Sequence, residues 1–455
     1  MGWVGGGAFG WVVAALLSLI ASIKFHSPGF WADTPLLTYG RVRVAALQGM
    51  WWGGAVPLLF GAMLGWMGRS APGGVRFSGL ALLGAIVWHL GACLGIVGVL
   101  LGHTTGYDGW GMPNAAVWVC VAGLLLFTVS VTATFHNRGE RGLQLAHGFL
   151  WAGYLWLGWV SLAAFVLLGL QPVRGVLQWL VDAWYVANAQ MVAGTLLGWG
   201  ILYAWLPVWT GRPLYSRYLG MMTFLGLVML AGWTGVTPSA PVPAWLPVLA
   251  TVTTVLCIVP WTAAWLNWRG SVSRCGCVLW RDAVACFAVV GCVAFFWSAV
   301  GKLGLHVPGI STVLEFTWWE PARHWAHVCG FLGLTGVAGT YAWLRSFPER
   351  EGRAVAARTQ FWCLTAGLVL CVAPLAVAGI VQGLSWQDPS VPNVEVLRRT
   401  LMWLRLSTVG ELLMLVGWIL FCVTLSSLAL KRGRACWSDG WRRITTPLQE
   451  QETAK

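Results

Sequence analysis

Twelve uninterrupted apolar runs fill most of this 455-residue chain, and no other feature narrows its possible folds as far. They lie near 8–23, 44–67, 79–101, 114–135, 147–170, 184–208, 216–235, 245–266, 283–301, 325–344, 359–383 and 406–430. Runs of this kind approach the roughly 20 residues that a helix needs to cross hydrocarbon. Inside a bilayer only helices and closed barrels satisfy their own backbone groups. A barrel strand would alternate apolar and polar residues, whereas these runs are continuous. The expectation is an all-α, polytopic membrane protein, a twelve-transmembrane-helix bundle. Composition agrees: 58% of residues are hydrophobic and 9% charged, against about a quarter charged in a soluble domain. Disorder is excluded by the hydrophobicity. A collagen, coiled-coil or disulfide scaffold is excluded because the 58 glycines have no period and the 12 cysteines are scattered. No connection is long enough for a soluble domain, so residues 1–430 read as one transmembrane domain and 431–455 as a basic cytoplasmic C-terminal tail.

The net charge of +13 takes its meaning from where the charges sit. Connections on the side of the N-terminus, with the tail, carry 19 Lys and Arg residues; the opposite side holds 9. Positive residues favour the cytoplasmic face, which predicts both termini there. Lys431, Arg432, Arg434, Arg442 and Arg443 then read as a topology and lipid-headgroup signal, with no nucleic-acid partner. The first run has no basic leader or small-residue cleavage site and reads as a retained helix. Most cysteines (Cys93, Cys120, Cys257, Cys292, Cys363, Cys371, Cys422) fall inside runs, where they act as small apolar residues. Cys275 and Cys277 fall in a predicted cytoplasmic loop, where thiols stay reduced. There is no Cys-x-x-Cys-His for a covalently attached haem, and a zinc site is not expected.

An ionisable residue within a membrane helix is costly and marks a candidate site. The inventory is His89, His147, His327 and Glu411 within the runs, with Lys302, Arg323 and His324 at their ends. His324 and His327 are three residues apart and share a face if their helix has begun by then. Two imidazoles on one face suit a metal or a haem iron; an interfacial Arg/His/Trp girdle is the plainer alternative and is favoured on spacing alone. Glu411 reads first as a local hydrogen-bonding device, because a proton path needs a chain of such groups and the other helices offer almost none. Paired broken helices and midplane charges, the marks of a transporter, are missing. Asn188-Ala189-Gln190 is polar but small and reads as helix packing.

Four strings carry a family resemblance. They are Tyr39-Gly40-Arg41-Val42-Arg43; Arg138-Gly139-Glu140-Arg141; Trp184-Tyr185-Val186-Ala187-Asn188 through Pro207 to Gly211-Arg212-Pro213-Leu214-Tyr215-Ser216; and Ala378-Gly379-Ile380-Val381-Gln382-Gly383-Leu384-Ser385-Trp386. With twelve runs and 34 tryptophans, the chain resembles the catalytic subunit (subunit I) of the cbb-type cytochrome c oxidases, in the haem–copper oxidase superfamily. The resemblance implies two haems and a copper held by histidines, a catalytic tyrosine, and membrane-anchored c-type cytochromes as partners.

At the positions to which the resemblance carries those ligands, this chain departs from the family. The low-spin haem histidine of the second helix falls on Ala46, and the copper histidine of the sixth on Ala187. The paired copper histidines fall within Val236-Thr237-Pro238-Ser239, and the tyrosine on Phe295. The His-x-His of the tenth helix aligns with His327-Val328-Cys329, which makes His327 the position of the high-spin ligand. Alanine and phenylalanine neither coordinate iron nor give up protons, so the chain is not expected to work as an oxidase in the family's manner. The expected function is a catalytically silent, oxidase-like subunit of the bacterial inner membrane that scaffolds a hetero-oligomeric electron-transfer complex. No cofactor is then needed, and aromatic side chains are expected to fill the haem volume. Two alternatives stay open: a residual b-type haem protein using His327 or His324, for electron relay or gas sensing, and a channel reusing an emptied cavity lined by Glu411 and Lys302.

Overall fold

The computed structural model describes residues 1–107, 109–139, 144–273, 282–345 and 353–452, the side chains of 353–355 and 432–452 excepted. We number the long helices in chain order: α1 Gly2–His26, α2 Tyr39–Ser70, α3 Ser78–Leu100, α4 Asn114–His136, α5 Leu145–Leu170, α6 Val176–Thr210, α7 Arg217–Trp233, α8 Trp245–Val272 and α9 Ala283–Gly304. α10 is the continuous helical run 319–344; α11 is Arg353–Trp386 and α12 Asn393–Glu452. Every expected run falls on a helix, but ten of the described helices are long and apolar enough to cross a membrane. The remaining two positions are α7, which is shorter, and α10, whose first two turns carry Glu320, Arg323 and His324. α12 starts well before the run at 406–430 and continues unbroken to Glu452, through the stretch read as a tail. Hydropathy registers only the apolar middle of a helix, so polar extensions of that kind escape it.

Burial separates the helices into an inner and an outer set. The most apolar stretch of α2 is 100% buried and that of α6 83%, against 39% for α4, α8 and α12. α2, α6 and α10 therefore stand in the middle, while the outer helices turn apolar side chains such as Leu125, Val252 and Val423 outward. Neighbours in sequence pack as pairs, α3 with α4, α7 with α8, and α11 with α12, and α1 closes the ring by packing on both α2 and α12.

Small residues set how closely these helices approach. A Cβ on Gly10 of α1 would stand 2.0 Å from the Gly53 carbonyl oxygen of α2, so only glycine lets the two backbones meet there. Gly5, one and a half turns away on the same helix, has nothing within 4 Å of its notional Cβ. We expect Gly10→Ala to cost about 1–3 kcal/mol by overpacking, and Gly5→Ala to leave stability unchanged or slightly raised through helix propensity. Thermal unfolding of the two variants in one detergent checks the contrast.

Candidate functional site

Each of the three inner helices widens into a π-helical stretch: Gly49–Ala55 in α2, Ala187–Gly194 in α6 and Ala326–Gly333 in α10. Such bulges recur at functional sites because the extra residue per turn re-aims side chains. Here they mark the ligand positions that the resemblance singled out. Ala46 lies one turn before the first stretch, Ala187 opens the second, and His327 lies in the third. Phe295 is buried on α9, and Val236–Ser239 form the turn that follows α7.

Two cavities adjoin these π-helical stretches. The larger holds about 270 Å³ between α1, α2, α10, α11 and α12, and its polar wall includes Arg43, Gln48, Glu320, Arg323, His324 and Glu411. Arg323 Nε stands 2.6 Å from Glu320 Oε2, an i,i+3 pair that neutralises both charges at the start of α10. The acidic member sits at the helix N-terminus, where the macrodipole favours it. Glu411 Oε2 accepts a 2.8 Å hydrogen bond from Ser18 Oγ of α1.

The smaller cavity holds about 20 Å³, beside His327, Lys302, Phe295 and Met191, a space on the scale of one water molecule. His327 Nε2 lies 3.1 Å from the Gln190 carbonyl oxygen of α6, so the imidazole spends its Nε2–H on the backbone. Aromatic rings take the surrounding volume: the Phe295 ring is centred 4.8 Å from Phe331 and 5.5 Å from Trp199.

Two pairings that the sequence left open are separated in the structure. His324 and His327 do not share a site, because the first borders the larger cavity and the second the smaller. The π-helical stretch begins at Ala326, between them, and breaks the three-residue register that would have aligned the imidazoles. Glu411 and Lys302 are likewise divided between the two cavities and do not line one passage.

The donor set does not fit the family's metal centre. Copper held by imidazoles has no ligand at Ala187 or in Val236–Ser239, and among the described residues no three His, Cys, Asp or Glu are placed to share an ion. Ala46, at one position the resemblance gives to a low-spin haem histidine, offers the larger cavity a methyl group that could not ligate iron. At the other, Cys329 donates to Met414 Sδ at 3.7 Å and turns toward α12. Trp11 stacks on Trp418 at 4.4 Å and 3° beside Gly333 of α10, filling the space between α1, α10 and α12. Among the described residues of the central helices, His324 is the one histidine whose ring borders a cavity of ligand size.

The other intramembrane histidines lie apart from both cavities. His89 packs across Gly6 and Trp3 of α1, and His147 against Trp66, within 3.4 Å of Ser70 Oγ. The Cys275–Cys277 pair, Glu140, Arg141 and the side chains of Arg432, Arg434, Arg442 and Arg443 lie outside the described residues. Sequence reasoning missed Arg43 and Gln48 as cavity residues and undervalued Asn188. That side chain accepts from Trp156 Nε1 of α5 at 3.1 Å and donates to the Gly232 carbonyl of α7 at 3.1 Å and to the Trp184 carbonyl at 2.9 Å. It ties three helices together beside the second π-helical stretch. Asn188→Leu should cost about 1–3 kcal/mol by stranding the buried indole N–H and the Gly232 carbonyl. Thermal unfolding against the wild type measures it.

The family described as "Cytochrome C and Quinol oxidase polypeptide I" matches residues 2–413. Three curated proteins are similar at low identity. A "Cytochrome c oxidase subunit 1 homolog" of Azorhizobium caulinodans is 24% identical over 83% of this chain and 71% of its own length. The "Cytochrome c oxidase subunit 1" of Rhodobacter capsulatus is 23% identical over 84% of this chain and 74% of its own. The "Cbb3-type cytochrome c oxidase subunit CcoN1" of Stutzerimonas stutzeri is 26% identical over 46% of this chain, which spans 45% of that relative.

Proposed function

This chain belongs to the cytochrome c and quinol oxidase polypeptide I family, and we propose that it keeps the family's membrane frame without its oxygen chemistry. In this reading it is a catalytically silent, haem–copper-oxidase-like subunit of a bacterial inner membrane, with both termini cytoplasmic. It scaffolds a hetero-oligomeric electron-transfer complex whose other members are membrane-anchored c-type cytochromes or comparable electron-transfer subunits. The observation that carries the reading is the replacement of the copper imidazoles by Ala187 and by Val236-Thr237-Pro238-Ser239. Oxygen reduction needs an open iron facing a second metal and a nearby proton donor. Phe295 has no hydroxyl to give, and the cavity beside it is of water size. We expect the purified chain, supplied with reduced cytochrome c, to consume no oxygen above the rate of protein-free detergent. Uptake that scales with the amount of chain would overturn the reading.

A second reading has one observation in its favour: the His324 imidazole borders a cavity of about 270 Å³ that Arg43 also lines. In it the chain retains a single b-type haem for electron relay or gas sensing, held by His324 and not by His327, whose Nε2 is spent on Gln190. That haem would supply one-electron chemistry or gas binding, while Arg43 and Arg323 offer cations to its acidic groups. A b-type absorption band lost in His324→Ala and kept in His327→Ala would support this assignment. A band that survives both substitutions, or none in the wild type, would remove it.

A further inference from the structure

The seam between α1 and α12 carries a row of hydroxyl groups that neither reading of the function uses. Ser18 and Ser22 lie one turn apart on α1, and Thr408 and Glu411 lie three apart on α12, so each pair lines one face of its helix. The two faces meet. Glu411 Oε2 accepts from Ser18 Oγ at 2.8 Å, and Ser22 borders the same cavity as Glu411. Ser22 Oγ lies 2.7 Å from Thr408 Oγ1, and Thr408 Oγ1 lies 3.2 Å from Nε2 of His26. His26 is the last residue of α1, at the membrane face opposite the N-terminus. Glu411 is 6% exposed and forms part of the wall of the larger cavity. A chain of hydrogen-bonding groups, His26–Thr408–Ser22, thus runs from the end of a membrane helix to the cavity wall that Ser22 shares with a buried acid, Glu411.

We propose that this chain is a proton path joining the membrane face at His26 to Glu411 in the wall of the cavity. The transfer balances without a further reactant. The His26 imidazolium gives its Nε2 proton to Thr408 Oγ1, Thr408 passes its own hydroxyl proton to Ser22 Oγ, and Ser22 passes its own to the Glu411 carboxylate. Rotation of the two hydroxyls restores the starting arrangement; Thr408 has a resting acceptor for that rotation in the Leu404 carbonyl, 3.0 Å away. A hydroxyl suits this role because it is donor and acceptor at once.

The surroundings of Glu411 leave the path its connection to the membrane face. From α1 it meets hydroxyls alone. From α2, Arg43 and Gln48 share its cavity, and from α10, Glu320, Arg323 and His324 do, the first two of these three paired with each other. The thiols of Cys329 on α10 and Cys371 on α11 lie within electrostatic reach, and on α12 itself Arg405 lies nearer to His26. Among the described residues, no ion pair includes Glu411. The inference holds whether the larger cavity is empty of haem or contains one, since it rests on α1 and α12.

Infrared spectroscopy of the full chain in lipid nanodiscs tests it, through the carbonyl band of a protonated carboxyl that disappears in Glu411→Gln. On transfer to D2O, Ser22→Ala with Thr408→Val should slow the deuteration shift of that band by about tenfold or more. Ser18→Ala, which touches the carboxyl but lies off the path, should move the band position and leave the rate near the wild type. His26→Phe, at the open end and away from the core, should slow exchange as the double variant does, and it serves if the double variant fails to fold. Exchange at the wild-type rate in both the double variant and His26→Phe would show that protons arrive through the cavity and would overturn the proposal. So would equal slowing by Ser18→Ala, the mark of a purely structural clamp.

Discussion

Hydrocarbon offers no partner to a backbone amide, and the rest of this molecule follows from that restriction. It forces the chain into helices that satisfy themselves, strips polar side chains from their faces, and leaves association to close packing of small residues. The meeting of Gly10 with Gly53 is one outcome, and the α1–α2–α12 contact built around it brings Ser18 and Ser22 against Glu411. Polar groups are so few that each one described above has a definable role, as a bond between helices, an ion pair at a helix start, or part of a cavity wall.

The strings that carry the family resemblance do backbone work in this chain. Arg41 donates to the Pro35 and Leu100 carbonyls at 3.1 and 3.3 Å, fixing the lead into α2. Asn188 ties α5, α6 and α7 together. Ser216 N donates to Asn267 Oδ1 and Tyr215 N to Ser271 Oγ, both at 3.0 Å, which joins the start of α7 to α8. Gln382 accepts from the Trp318 amide at 3.1 Å, and a Cβ on Gly383 would strike the Val313 carbonyl, so this string seats the segment before α10 on α11. The positions to which the resemblance assigns ligands lie in or beside the π-helical stretches and, for Phe295, on α9. There the chain presents Ala46, Ala187 and Phe295, and aromatic rings occupy the middle. The groups that hold these helices together differ from the positions to which the resemblance assigns metal ligands, so the frame does not depend on those ligands.

How much of this was legible in the sequence depended on range. Helix positions were legible because twenty apolar residues in a row have few other solutions. The ends of α11 and α12 were not, since polar helical extensions leave no hydropathy signal. The residues at the positions that the resemblance gives to the copper ligands could be read one by one once the strings were matched. The separation of His324 from His327 could not: a three-residue spacing presumes a regular helix, and the π-helical stretch at Ala326 leaves no mark in the residues themselves. The seam from His26 to Glu411 was missed for a related reason. Ser18 and Ser22 look like ordinary small packing residues until α12, nearly four hundred positions along the chain, brings Thr408 and Glu411 against them.

We propose that this frame lacks the donors of an oxygen-reducing centre. Quantifying haem and copper per chain in the isolated protein tests it most directly. The account predicts no stoichiometric copper and at most one b-type haem; two haems and one copper per chain would contradict it.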